Sequence, residues 1–139
     1  MNNKTSPLRD TRYCQCWALR KASRAVTQHY EASFRGTGLR ATQFTLLATL
    51  SQTGPLPLSE LATRVGLERT SLTRNLRLLE EKGLVRDEPG DDLRVRRIAI
   101  TKKGEAAALA AFNAWKKAQS TVGDVLRRLG IEKMVGVNT

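Results

Sequence analysis

The stretch "LSELATRVGLERTSLTRNLRLLEEKGLV", residues 58–85, decides how this chain is read. Leu58, Leu61, Ala62 and Val65 recur at steps of three and four, which is one apolar face of a short helix over 58–65, and Gly66 stops it. After the hinge "GLE" a second helix is predicted over 69–82, with Leu72, Leu76 and Leu79 as its inward stripe. At about 100° per residue, Thr70, Arg74 and Arg77 point roughly the opposite way, and Arg69, Ser71 and Thr73 join them near the helix start. Two short helices, a tight glycine-containing turn and a second helix with Arg, Thr and Ser outward make a helix-turn-helix signature.

Working outward, Gly83 closes the second helix, and "LVRDE" (84–88) and "RVRRIAI" (94–100) read as two strands. Between them "PGDDL" (89–93) has the composition of a hairpin tip, so the pair forms a wing. Thr101 then caps a long helix in which Ala108, Phe112, Trp115, Gln119, Val122, Leu126 and Leu129 recur at steps of four and three. That stripe is longer than a monomer of this size readily covers, which predicts a partner helix. On the other side, residues 12–34 carry a helical seam of Cys16, Leu19, Ser23, Val26 and Tyr30, ended by Gly36 and Gly38. Thr42 is predicted to cap a second helix that buries Phe44, Leu47, Ala48 and Leu50, before "SQTGPLP" (51–57) breaks the chain.

The predicted fold class is therefore mainly α with a small β-hairpin wing, in a single domain over 1–139. A winged helix-turn-helix lobe at 56–100 is flanked by dimerisation helices at 12–55 and 101–130. The length of 139 residues suits one domain with a real core. With 40% hydrophobic and 27% charged residues, and no unbroken apolar run, the chain is expected to be soluble and cytoplasmic, off the membrane, where a structural disulfide is unusual. The net charge of +11 invites a nucleic-acid partner, but residues 56–101 hold 9 Lys/Arg against 8 Asp/Glu. Bulk charge is thus no guide to the lobe, and motif geometry has to carry the reading.

In that geometry, Arg74 and Arg77, one turn apart, reach guanine edges or phosphates of double-stranded DNA, and Arg69, Thr70, Ser71 and Thr73 reach either. At the wing, Arg94 and Arg96 lie beside Asp91 and Asp92, so that a carboxylate can fix an arginine rotamer for a minor groove. The alternative for each residue alone is an ordinary solvated charge.

Together these pieces resemble the MarR family of winged-helix transcription regulators over about residues 10–130. The matching motifs are residues 58–85, the wing "DDLRVRRIAIT" (91–101) with its Asp-x-Arg, and "KKGEAA" (102–107). The resemblance implies a homodimer built from the N- and C-terminal helices, with recognition helices in successive major grooves of a pseudo-palindromic operator and Arg94 in the flanking minor groove. It also implies a repressor released by a small-molecule effector or by thiol oxidation. Two departures stand out. Glu68 occupies a cap position where the family commonly carries Asp, and "IEKMVGVNT" (131–139) stands where the family usually has a further helix, so the expected dimer is either smaller or shored up by the termini.

The cysteines, Cys14 and Cys16, are too few for a metal site with His29 almost four turns away, so no metal or cofactor is expected. Read as helical, they lie about 200° apart, and a bond between them requires unwinding the first turn. The segment "CWALRKASRAVTQHY" (16–30) resembles the first helix of the organic-hydroperoxide sensors of the family. That likeness makes Cys16 the sensing thiol and Tyr30 its hydrogen-bond partner across the dimer, favouring oxidation to a sulfenic acid. The second tyrosine of those sensors is here Ala41 and no later cysteine can resolve the oxidised thiol, which favours Cys16 as a small residue of the seam or pocket lining. An effector pocket is implied between helices and lobe; Trp17 and Phe44 are its candidates, and Tyr30, Phe34 and Trp115 line it or fill the core.

Competing readings are a protein-interaction module that has lost DNA binding and a thiol-redox protein using Cys14 and Cys16. With one histidine and no nucleophile elbow, phosphate loop or paired carboxylates, an enzyme is not expected.

Overall fold

The computed structural model describes residues 6–130. The element order is a 3-10 segment (Pro7–Tyr13), α1 (Gln15–Phe34), α2 (Ala41–Thr53), β1 (Leu56–Pro57), α3 (Leu58–Val65), α4 (Arg69–Glu81), β2 (Val85–Pro89), β3 (Arg96–Ile100) and α5 (Lys102–Leu129). The fold is mainly α with a small antiparallel sheet, ordered β1-β3-β2. The tail 131–139 lies outside the described residues.

The centre of the molecule is a set of side chains with no solvent exposure: Leu46, Leu47 and Leu50 of α2, Leu61 of α3, Leu72, Leu76 and Leu79 of α4, and Ile98 of β3. Each such burial is worth about 2 kcal/mol, so these contacts, more than helix propensity, hold α3 and α4 in place. The leucine spacing read from the sequence is the spacing that is buried, and α3 and α4 begin and end within one residue of expectation. Against this centre α1 runs antiparallel along α5: Ala22 packs with Leu126, and His29 Nε2 lies 3.1 Å from the Ala118 carbonyl and 2.9 Å from Thr121 Oγ1.

Several expectations shift. α1 starts at Gln15 and not 12, because Pro7–Tyr13 winds as a 3-10 segment capped by Ser6. Its buried residues are Ala22 and Phe34, with Val26 and Tyr30 half-buried; Cys16, Leu19 and Ser23 are exposed. The seam is rotated because the small side chain of Ala22 lets α1 pack closely on Leu126 of α5, whereas the first turns have no described element to pack on. Cys14 has extended backbone (φ −62°, ψ 114°) as the residue before α1, so the 200° separation of the two cysteines does not apply.

The second helix is capped by Arg40 in place of Thr42: Gln43 Oε1 accepts the Arg40 N–H at 3.1 Å, and Glu31 Oε1 accepts the Ala41 N–H at 3.0 Å. The "GPLP" segment does break α2, with Gly54 at φ +78°, but it also contributes β1, pairing Leu56 with Ile98 and Pro57 with Arg97. On α5 the buried residues are Gly104, Ala108, Ala111, Ala118, Val125 and Leu126; Phe112 and Gln119, expected in the stripe, are exposed.

α5 is joined to the lobe at its first turn. Thr101 Oγ1 accepts the Gly104 N–H (3.0 Å) and donates to the Gly83 carbonyl (2.7 Å), while the Thr101 N–H donates to the Leu84 carbonyl (3.1 Å). A Cβ at Gly104 would sit 2.1 Å from that Leu84 carbonyl oxygen and 2.8 Å from Ile100 Cγ1. Elsewhere in a helix Gly→Ala gains about 1 kcal/mol. Here Gly104→Ala is expected to cost about 2 kcal/mol or more, because the neighbour is backbone and cannot swing away. Urea denaturation measures it, and a stabilised variant would show that α5 is not seated this tightly.

Candidate nucleic-acid interface

The turn between α3 and α4 is set by Gly66, in the left-handed region at φ +67°, with the Leu67 N–H returning to the Ala62 carbonyl at 3.1 Å. Glu68 then takes the extended cap conformation, but its side chain makes no capping hydrogen bond; the extra methylene relative to Asp carries the carboxylate off the first-turn N–H groups. With Leu72, Leu76 and Leu79 buried, α4 exposes Arg69, Thr70, Thr73, Arg74 and Arg77. Ser71 is half-buried, and its carbonyl accepts from Asn75 Nδ2 at 2.9 Å. Among the described residues, Arg69, Arg74 and Arg77 make no ion pair. Three guanidinium groups on one solvent-facing helix surface therefore have their donors available for an external anion.

The wing strands pair from Val85 with Ile100 to Pro89 with Arg96, leaving 90–95 as the tip. There Asp92 Oδ1 accepts both the backbone N–H of Arg94 (3.0 Å) and its Nε (3.4 Å), which orients a side chain that is 92% exposed. Arg97, which the sequence did not single out, donates from Nη2 to the Pro55 carbonyl at 3.3 Å and ties the wing to β1. Arg96 is engaged differently. Its Nε donates to Asp87 at 2.7 Å and its Nη2 to Glu80 at 2.6 Å. The Asp87 bond first, aided by Glu80 and opposed by partial burial, raises its pKa above the usual arginine value. Glu80 and Asp87 were not anticipated, because an ion pair between a helix and a hairpin leaves no local spacing to read.

Within one chain the remaining candidates do not converge on one site, and the Cys16–Tyr30 pairing is the one expected between two chains. Cys14 and Cys16 are free and exposed. Tyr30 donates its hydroxyl to Gln119 Oε1 of the same chain, and fourteen helical residues place it about 21 Å along α1 from Cys16. Trp17 is 71% exposed and does not line the cavity that Phe44 helps to form. That cavity, about 400 Å³ between α2 and α5, is walled by Phe44, Phe112 and Trp115, with Glu105 bonded to Ser51 at its edge. No group of three or more metal-ligating side chains occurs among the described residues.

Two helices held at a glycine turn, an arginine-bearing exposed face and an adjoining hairpin define a winged helix-turn-helix regulator. The chain belongs to the MarR family of transcriptional regulators, a non-enzyme family, whose model matches residues 39–95, from the approach to α2 through the wing tip. It is 44% identical to the M. tuberculosis transcriptional regulator MosR in a structure with DNA, covering 78% of this chain and 80% of that one with a TM-score of 0.71. A second MosR structure gives 37% identity, 88% and 95% coverage, and a TM-score of 0.71. The uncharacterized HTH-type transcriptional regulator YwoH of Bacillus subtilis is 26% identical over 87 residues, 63% of this chain and only 64% of YwoH. Among the described residues no helix is long and apolar enough to cross a membrane.

Two outcomes follow from the local chemistry. Glu68→Asp is expected to raise stability by about 0.5–1 kcal/mol through a restored cap, read as a higher denaturant midpoint with an unchanged slope. Burial raises the Tyr30 pKa above 10.0. Its contribution is thus complete below that value and lost as pH rises through the folded-state value, because the unfolded phenol ionises first. Stability measured across alkaline pH should fall in that window, and Tyr30→Phe should remove that component.

Proposed function

We propose that this chain is a DNA-binding transcriptional repressor that acts as a homodimer on a pseudo-palindromic operator. The observation that carries the reading is the set of unpaired arginines on the exposed face of α4, beside a wing arginine oriented by Asp92. In a major groove, Arg74 and Arg77 serve guanine edges or phosphates, and Arg69, Thr70, Ser71 and Thr73 contact the strands near the helix start. Asp92 holds Arg94 for the minor groove. The dimer is supported by exposed apolar side chains at the end of the molecule where α1 meets α5. Leu8, Tyr13, Trp17 and Leu19 are 74%, 72%, 71% and 44% exposed, beside an open groove of Leu19, Val26, Val122 and Leu126. Two control points accompany it: the exposed Cys16 thiol, open to peroxide, and the cavity at Phe44, of a size for a small ligand.

Selection of bound sequences from random DNA, with reduced and peroxide-treated protein, tests the reading. Recovery of a two-fold symmetric site is expected, together with a dimer mass by light scattering at micromolar concentration. Arg74→Ala and Arg94→Ala should each weaken binding by about 1–3 kcal/mol, with a steep dependence on salt. Binding unmoved by either change would count against these arginines as the DNA contacts, and failure to retain any DNA sequence would count for the interaction-module reading. Release by peroxide that Cys16→Ser abolishes would assign control to the thiol; release unchanged in that variant would assign it elsewhere.

A further inference from the structure

Four arginines stand on or beside the wing strands, and the structure treats them unequally. Arg94 points outward at the tip, Arg86 lies 3.8 Å from Glu88, and Arg97 bonds a carbonyl of the β1 approach. Arg96 is held by carboxylates from two different elements: Asp87 of β2 at 2.7 Å and Glu80 in the last turn of α4 at 2.6 Å. The covalent link between α4 and β2 is the short "KGL" segment, in which Gly83 takes φ +74°. Thr101 holds the root of the hairpin at Gly83 and Leu84, but the outer end, where Arg96 pairs with Pro89, lies beyond that clamp, and there Arg96 bonds α4 directly.

We infer that Arg96 is a positioning residue: it braces the wing against the recognition helix and so sets where Arg94 falls relative to Arg74 and Arg77, without contacting DNA itself. This rests on the DNA-binding reading above. Three considerations favour bracing over contact. Arg96 with Glu80 and Asp87 carries one net negative charge, which repels a phosphate backbone, so those carboxylates weaken binding unless they do something else. Its Nε and one Nη are already engaged in short charge-assisted bonds, and a phosphate contact would have to displace them. The two carboxylates approach two different nitrogens of one planar group, a geometry that a lysine ammonium cannot reproduce.

The test compares affinity for the selected operator with affinity for unrelated duplex, as a function of salt. The variants are Glu80→Gln, Asp87→Asn, Arg96→Gln, Arg96→Lys and Arg94→Ala, with Arg94→Ala also combined with Arg96→Gln. Bracing predicts that Glu80→Gln and Asp87→Asn, though each removes a negative charge, lower operator affinity about five- to tenfold while affinity for unrelated duplex holds or rises. It predicts that Arg96→Lys fails to restore operator binding, and that Arg94→Ala costs little more once Arg96→Gln is present. Direct contact predicts the reverse: neutralising either carboxylate leaves operator binding as tight or tighter, Arg96→Gln lowers the salt slope by about 1, and the two arginine changes add. Any of those results overturns the inference. Should Arg96→Gln lose its cooperative melt, the Glu80→Gln result decides, since that change keeps the Asp87 bond. A wild-type protein with no preferred DNA site would instead overturn the DNA-binding reading, and this inference with it.

Discussion

The leucine contact between α4 and α2 is the constraint on which the rest depends. Leu72, Leu76 and Leu79 seat against Leu46, Leu47 and Leu50, all without solvent exposure. Burying that stripe fixes the rotation of α4 about its own axis, and therefore which residues face outward. A helix of this length has too little intrinsic stability to stand alone, so the arginine face exists because the leucine face is occupied. The proposed binding surface and the core are two sides of the same thirteen residues.

The wing extends this logic with polar chemistry. Its strands pair through backbone bonds, and β1 contributes only Leu56 and Pro57, so the sheet alone gives the tip little rigidity. Side chains supply what the sheet lacks. Asp92 orients Arg94, Arg97 reaches the Pro55 carbonyl, and Arg96 joins α4 to β2. Of the described arginines near the proposed DNA face, some position and others are left available, and their charge alone does not separate the two groups.

That distinction marks the limit of what could be read from the residues in order. The helix-turn-helix was legible because its signal is local: apolar residues at steps of three and four, bounded by Gly66 and Gly83, specify both helices within one residue. The hairpin was legible to within two residues at each strand end for the same reason. β1 was missed because a two-residue strand, one of them Pro57, carries no strand periodicity. The phase of α1 was misread because alanine is ambiguous: the predicted seam through Cys16, Leu19 and Ser23 and the observed burial at Ala22 differ by one step around the helix, and only the packing of Ala22 on Leu126 of α5 selects between them. Arg96 was grouped with Arg94 because neighbouring arginines look alike until a partner from another element takes one of them.

The seating of α5 has a mechanical meaning. Gly104 lies against the Leu84 carbonyl and Thr101 bonds both Gly83 and Leu84, so the first turn of α5 and the root of the wing move as one body. From that joint α5 runs 28 residues, about 42 Å, to the end where α1 packs. A rod clamped at one end converts angle into distance: a tilt of about 5° at the far end displaces the clamped lobe by roughly 4 Å. In the proposed dimer, the spacing between two reading heads is then set by the pitch of two levers, and a disturbance at the remote end need only change that pitch to spoil the fit to a fixed helical repeat.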